Sequence, residues 1–94
     1  INNGFNLKEA QGRYRELSPR EREIIQRVSI GMSNKAVAED LVLSKRTVES
    51  HRASAYRKLK VKNVGDLQQL LSALETEERE QERSLKEMRQ TKFR

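Results

Sequence analysis

Start signals for helices recur along this chain at Ser18, at Ser33 or Asn34, at Ser44 and at Asn63, and they confine it to a succession of short helices joined by tight turns. The side-chain oxygen of a Ser or Asn just before a helix accepts from one of the first-turn N–H groups that have no partner within the helix. The run Ser18-Pro19-Arg20-Glu21 goes further. It sets an N-cap Ser before a Pro at the first helical position and a Glu at the third, a complete capping box. Ile24, Ile25 and Val28 follow as an apolar stripe, and Gly31 stands where a helix end calls for left-handed backbone. In the segment after Ser33, Ala36, Val37 and Leu41 are expected to face inward, with Ala36 small enough for a close helix crossing. Val42 and Leu43 make an apolar turn into the Ser44 cap. Beyond Asn63-Val64-Gly65-Asp66, Leu67, Leu70 and Leu74 form the stripe of a last helix that completes the core.

The expected fold is therefore all-α, and small. With 34% apolar residues among 94, the core can draw on three or four helical faces and nothing larger. The absence of cysteine excludes a disulfide framework and thiolate metal sites and fits a reducing cytoplasm, which is the expected location. No apolar run could span a bilayer, so no membrane association is expected, and Ile1-Asn2-Asn3-Gly4-Phe5 has no signal-peptide pattern. A start at Ile1 rather than Met reads as a piece of a longer protein. His51 is the single histidine. With no second histidine or cysteine for zinc, no triad spacing and no glycine-rich phosphate loop, it reads as a helix-packing residue with one ring nitrogen near phosphate. No catalytic residue, metal site, cofactor or enzymatic activity is expected.

The charge distribution says more. Of the formal net charge of +6, residues 1–16 carry +1, residues 17–62 carry +6, residues 63–74 carry −1, and residues 75–94 balance six acids with six bases. Across positions 44–62, Lys45, Arg46, Arg52, Arg57, Lys58, Lys60 and Lys62 face only Glu49. A one-sided cationic cluster inside a helix-turn-helix pattern suits a surface that tracks nucleic-acid phosphates; the plain alternative is a solvated helix face. In the helix after Ser44, Val48, Ala55 and Leu59, with His51 or Arg52 between them, form the inward stripe. That leaves Lys45, Arg46, Glu49, Ser50, Ala53 and Arg57 outward, where short side chains let a helix approach base edges.

Four stretches together carry a resemblance: Leu17-Ser18-Pro19-Arg20-Glu21-Arg22-Glu23-Ile24-Ile25, Gly31-Met32-Ser33-Asn34-Lys35, Ser44 through Arg52, and Lys58-Leu59. In order and spacing they resemble the LuxR-type helix-turn-helix domain over roughly residues 17–74, in the version found in response regulators of the FixJ and NarL type. The resemblance implies a four-helix DNA-binding effector, residues 17–74, with residues 1–16 as a partly helical interdomain linker and a phosphorylatable N-terminal receiver outside this chain. It implies sequence-specific binding of double-stranded DNA, the third helix of the motif lying in the major groove. Arg46, Glu49, Ser50, Arg52 and Ala53 would then face bases, and Asn34, Lys35, Ser44, Lys45, Thr47, Arg57, Lys58 and Lys60 would meet the backbone.

Glu49 can only accept, most naturally from cytosine N4, unless it orients Arg52 instead. The fourth helix is the family's dimer contact, which falls on Val64, Gln68 and Leu71 and implies a homodimer on DNA; RNA polymerase is a further candidate partner. From the residues themselves, Val64 and Leu71 form an apolar strip that either receives a partner or is covered by the linker. Two other readings stand beside this one: a region-four sigma-factor domain, which shares the acid-rich first helix and the Ser-x-x-Thr-Val third helix, and a helical protein-interaction module using the last helix.

At the ends, Leu7, Ala10, Tyr14 and Leu17 recur at helical spacing, so the linker should form a short helix leaning on the domain. From Glu75 the composition turns charged, and Glu75 to Arg79 and Glu82 to Lys86 are favourable four-residue pairs, so residues 75–94 read as a solvated extension of the last helix. Leu67, Leu71, Leu74, Glu78, Gln81, Leu85 and Met88 fit a heptad register whose middle is polar, which favours a frayed or partner-bound helix over a strong coiled coil.

Overall fold

The computed structural model describes residues 6–92, which form five α-helices and, among the described residues, no strand. They are α1 (Leu7–Arg15), α2 (Pro19–Ser29), α3 (Asn34–Leu41), α4 (Lys45–Leu59) and α5 (Val64–Lys92). The start signals mark helix starts as expected. Ser18 Oγ accepts from the Glu21 N–H at 3.1 Å while Glu21 Oε1 accepts from the Ser18 N–H at 2.9 Å, so the capping box is closed. Ser33, rather than Asn34, caps α3, and Ser44 caps α4. Asn63 Oδ1 accepts from the Asp66 N–H at 2.8 Å at the head of α5. Gly31 has φ +104°, which ends α2 in backbone that a side chain would strain.

Packing of α2, α3 and α4 makes the centre. Ile24, Ile25, Val28, Val37, Val48, Ala55 and Leu59 are buried there, and Leu67 and Leu70 of α5 close the other side. Each of these larger aliphatic side chains contributes on the order of 1.5–3 kcal/mol by leaving water. The inward side of α3 differs from expectation: Ala38, not Ala36, is the buried small residue, and Ala36 is half-buried. Ala38 lies three positions before Leu41, about 60° away around the helix, whereas Ala36 is about 140° away. Val42 and Leu43 form the expected turn into Ser44: Val42 ends α3 in left-handed backbone and is 88% exposed, and Leu43 packs against the core.

The linker segment is helical and docked. Ala10 and Leu17 are buried, α1 packs on α4 and α5, and Arg22 stacks on the Tyr14 ring while donating to the Arg15 carbonyl at 3.1 Å. At the other end α5 continues well past Leu74 as one helix. Its 29 residues span about 44 Å at ~1.5 Å per residue and account for most of the molecule's 56 Å long dimension.

Candidate nucleic-acid interface

Helix α4 separates its faces by the simple period of an α-helix. Val48, Ala55 and Leu59 are buried, and Lys45, Arg46, Glu49, Ser50, Ala53 and Arg57 are all exposed. The steps 46, 49–50, 53 and 57 follow one stripe, so a cation, an acceptor, two small residues and a second cation succeed one another along a single outward face. Ahead of that stripe the Ser44 cap holds the first turn. Ser44 Oγ accepts from the Thr47 N–H at 3.0 Å and lies 2.8 Å from Thr47 Oγ1, which fixes the Thr47 hydroxyl at the rim. Lys35 on the first turn of α3 and Lys60, which closes α4 in left-handed backbone, are exposed.

Two cations expected on this surface are engaged elsewhere. The Arg52 guanidinium donates to Asn34 Oδ1 at 2.8 Å and to the Tyr56 hydroxyl at 3.1 Å, and its carbon lies 5.2 Å from the Tyr56 ring centroid. Arg52 and Asn34 are therefore one unit joining α4 to the start of α3, both half-buried. Tyr56 was not singled out from the sequence, although its place four residues after Arg52 on the same helix was a usable signal.

Lys58 points the other way, into the rim of the core. Its ammonium lies 2.9 Å from Glu21 Oε1, and Ser54 Oγ donates to Glu21 Oε2 at 2.7 Å. Burial resists ionisation of Glu21, but the Ser18 N–H, the Lys58 ammonium and the Ser54 hydroxyl outweigh it and hold the carboxyl down at about 2. Glu21 is 4% exposed and so ties the head of α2 to the middle of α4, fixing the height at which α4 presents its outer stripe. A second tie, Arg27 to Asp40 at 2.5 Å, joins α2 to α3. His51 is half-buried on α4.

The residues expected at a dimer contact sit on the first turns of α5. Val64 and Leu71 are half-buried and packed against the core, and Gln68 is exposed, donating from Nε2 to the Ser29 carbonyl at 2.8 Å. Leu71 lines a shallow groove with Gln11 and Tyr14 of α1.

With this geometry, residues 15–71 match the family described as bacterial regulatory proteins, luxR family, also designated GerE. The chain belongs to the luxR family. Similar proteins include the transcriptional regulatory protein FixJ of Rhizobium meliloti (strain 1021), 40% identical over 62 residues that cover 66% of this chain and 30% of that protein. The transcriptional regulatory protein UhpA of Escherichia coli (strain K12) is 42% identical over 61 residues, 65% of this chain and 31% of UhpA. Among solved structures, the response regulator StyR superposes with a TM-score of 0.68 at 27% identity over 70% of this chain and 33% of StyR. Full-length FixJ from B. japonicum does so with 0.60 at 34% identity, over 68% and 33%. This luxR-family chain thus spans about a third of the length of the relatives it matches, and those relatives are response regulators. The family is one of transcription regulators, which is not an enzyme class. Among the described residues, no helix is long and apolar enough to cross a membrane.

Proposed function

We propose that this luxR-family domain is the output half of a transcriptional response regulator. In that role it binds double-stranded DNA with α4 in the major groove and pairs with a second copy through the first turns of α5. The observation that carries the reading is the outer stripe of α4. Arg46 and Arg57 flank Glu49, Ser50 and Ala53 on one exposed face, while the opposite face is fixed to the core by Val48, Ala55, Leu59 and the Glu21 cluster. Small side chains in the middle let the helix axis come close to base edges, and the cations at the ends meet phosphates. Glu49 is the acceptor available to a cytosine N4–H, and Lys35, Lys45, Thr47 and Lys60 lie where the motif meets the backbone. Val64, Gln68 and Leu71 would form the pairing face, and control would come from a receiver domain joined to α1.

The test separates the two kinds of contact. A site is first selected from a random DNA pool with this chain. Glu49→Ala should then relax preference at one base pair by about 1–3 kcal/mol, whereas Lys45→Ala should weaken selected and random duplexes alike. If neither substitution changes binding, α4 is not the reading helix.

A further inference from the structure

The contact between Arg52 and Asn34 fixes more than the packing of two helices. Arginine has donors only, so the Asn34 atom facing it must be the carbonyl oxygen, and the amide orientation follows from the chemistry of the pair. With Oδ1 held at 2.8 Å from the guanidinium, the Nδ2 donors are turned away from Arg52. The guanidinium is fixed in turn by the Tyr56 hydroxyl at 3.1 Å and by the Tyr56 ring beneath it, so it is held at three points. Arg52 thus has little freedom to reach a base without breaking bonds it already makes, whereas Arg46, Glu49, Ser50 and Ala53 need break none.

We propose that Arg52 is a positioning residue, which orients the Asn34 side-chain amide so that its N–H donors meet a DNA phosphate at the start of α3. The inference rests on the DNA-binding reading above and deepens it. Arg52 adds nothing to base choice; it sets the polarity of a neighbour. Asn34 reads no sequence either, because the group it meets is the same at every base pair.

Asparagine-to-aspartate is the informative change, since it keeps the acceptor Arg52 needs and replaces the donors with a charge that repels phosphate. In the full chain, Asn34→Asp should leave the thermal midpoint unchanged or raise it through an ion pair with Arg52. It should also weaken binding roughly tenfold or more, equally on a selected and on a random-sequence duplex, and make the log-affinity against log-salt slope shallower by about one. Affinity that falls while stability holds or rises is a result that a purely structural Asn34 does not give.

Arg52→Lys retains charge and loses the planar fork. It should weaken binding in the unsubstituted chain and have no further effect in an Asn34→Ala background. The inference is overturned if Asn34→Asp binds as tightly as the parent, or if Arg52→Lys loses preference at a single base pair and does so in the Asn34→Ala background too. An unsubstituted chain that binds no duplex in a salt-dependent manner overturns the DNA-binding reading itself, and the inference falls with it.

Discussion

Glu21 receives three donors, one from its own capping box and two from α4, and only the first is visible in its sequence neighbourhood. The bond to the Ser18 N–H belongs to the capping box and follows from Ser-Pro-Arg-Glu. The bonds from Ser54 and Lys58 come from 33 and 37 residues away. No local pattern distinguishes Lys58 from the lysines beside it, which is why its role at the core was not legible. The consequence is a pH dependence with a definite sign. Because the folded carboxyl ionises at about 2 rather than the ordinary 4.5, its contribution is fully present above pH 4.5 and is lost as pH falls from there toward 2. Urea unfolding across that window should show a falling stability that Glu21→Gln lacks, and Glu21→Gln should itself cost about 2–4 kcal/mol at neutral pH. Val42 gives a change of opposite sign. A β-branched residue with φ 58° is strained, and at 88% exposure it has little packing to lose. Val42→Asn should therefore raise stability by about 1 kcal/mol, seen as a rise of several degrees in the melting midpoint.

Helices are the scale at which the sequence was easiest to read. Caps are local, so Ser18, Ser33, Ser44 and Asn63 mark their helix starts without knowledge of any contact across the fold. The inward faces of α2, α4 and the head of α5 follow equally from period. On α3 the buried small residue is Ala38, two positions past the expected Ala36, because eight residues hold only two turns and three adjacent apolar positions, Ala36, Val37 and Ala38, fit either choice. At the two ends of the chain the contrast is energetic. Leu17 is 3% exposed beneath α1, so Leu17→Ala should cost about 2–4 kcal/mol. Among the described residues, the extension of α5 buries nothing comparable beyond Leu74; Leu85 is 55% exposed, and the Glu75 to Arg79 pair is solvated at 3.9 Å. Ending the chain after Thr76 should remove helical circular dichroism in proportion to the residues lost and leave the unfolding midpoint where it was.

Over the whole molecule the field is one-sided: residues 17–62 hold +6, and the charges of residues 75–94 cancel. The structure divides that excess into cations that hold the fold and cations that face outward. Lys58 is bound to Glu21 and Arg52 to Asn34 and Tyr56, while Lys35, Lys45, Arg46, Arg57 and Lys60 are exposed around α4. Five phosphate contacts per chain imply a slope of log affinity against log salt of about −4 to −5, since each neutralised phosphate releases close to one counterion. The slope therefore counts copies. On a duplex carrying one half-site it should be about −4 to −5, and on two half-sites one helical turn apart it should approach −9, with affinity falling by orders of magnitude between about 50 and 200 mM salt. Gln68→Glu would place like charges on the proposed pairing face of both copies. It should return the two-site slope toward the single-site value without altering binding to one half-site. A two-site slope that equals the one-site slope in the unsubstituted chain would show that copies do not bind together, and a flat response on both duplexes would show that the exposed cations of α3 and α4 meet no phosphate.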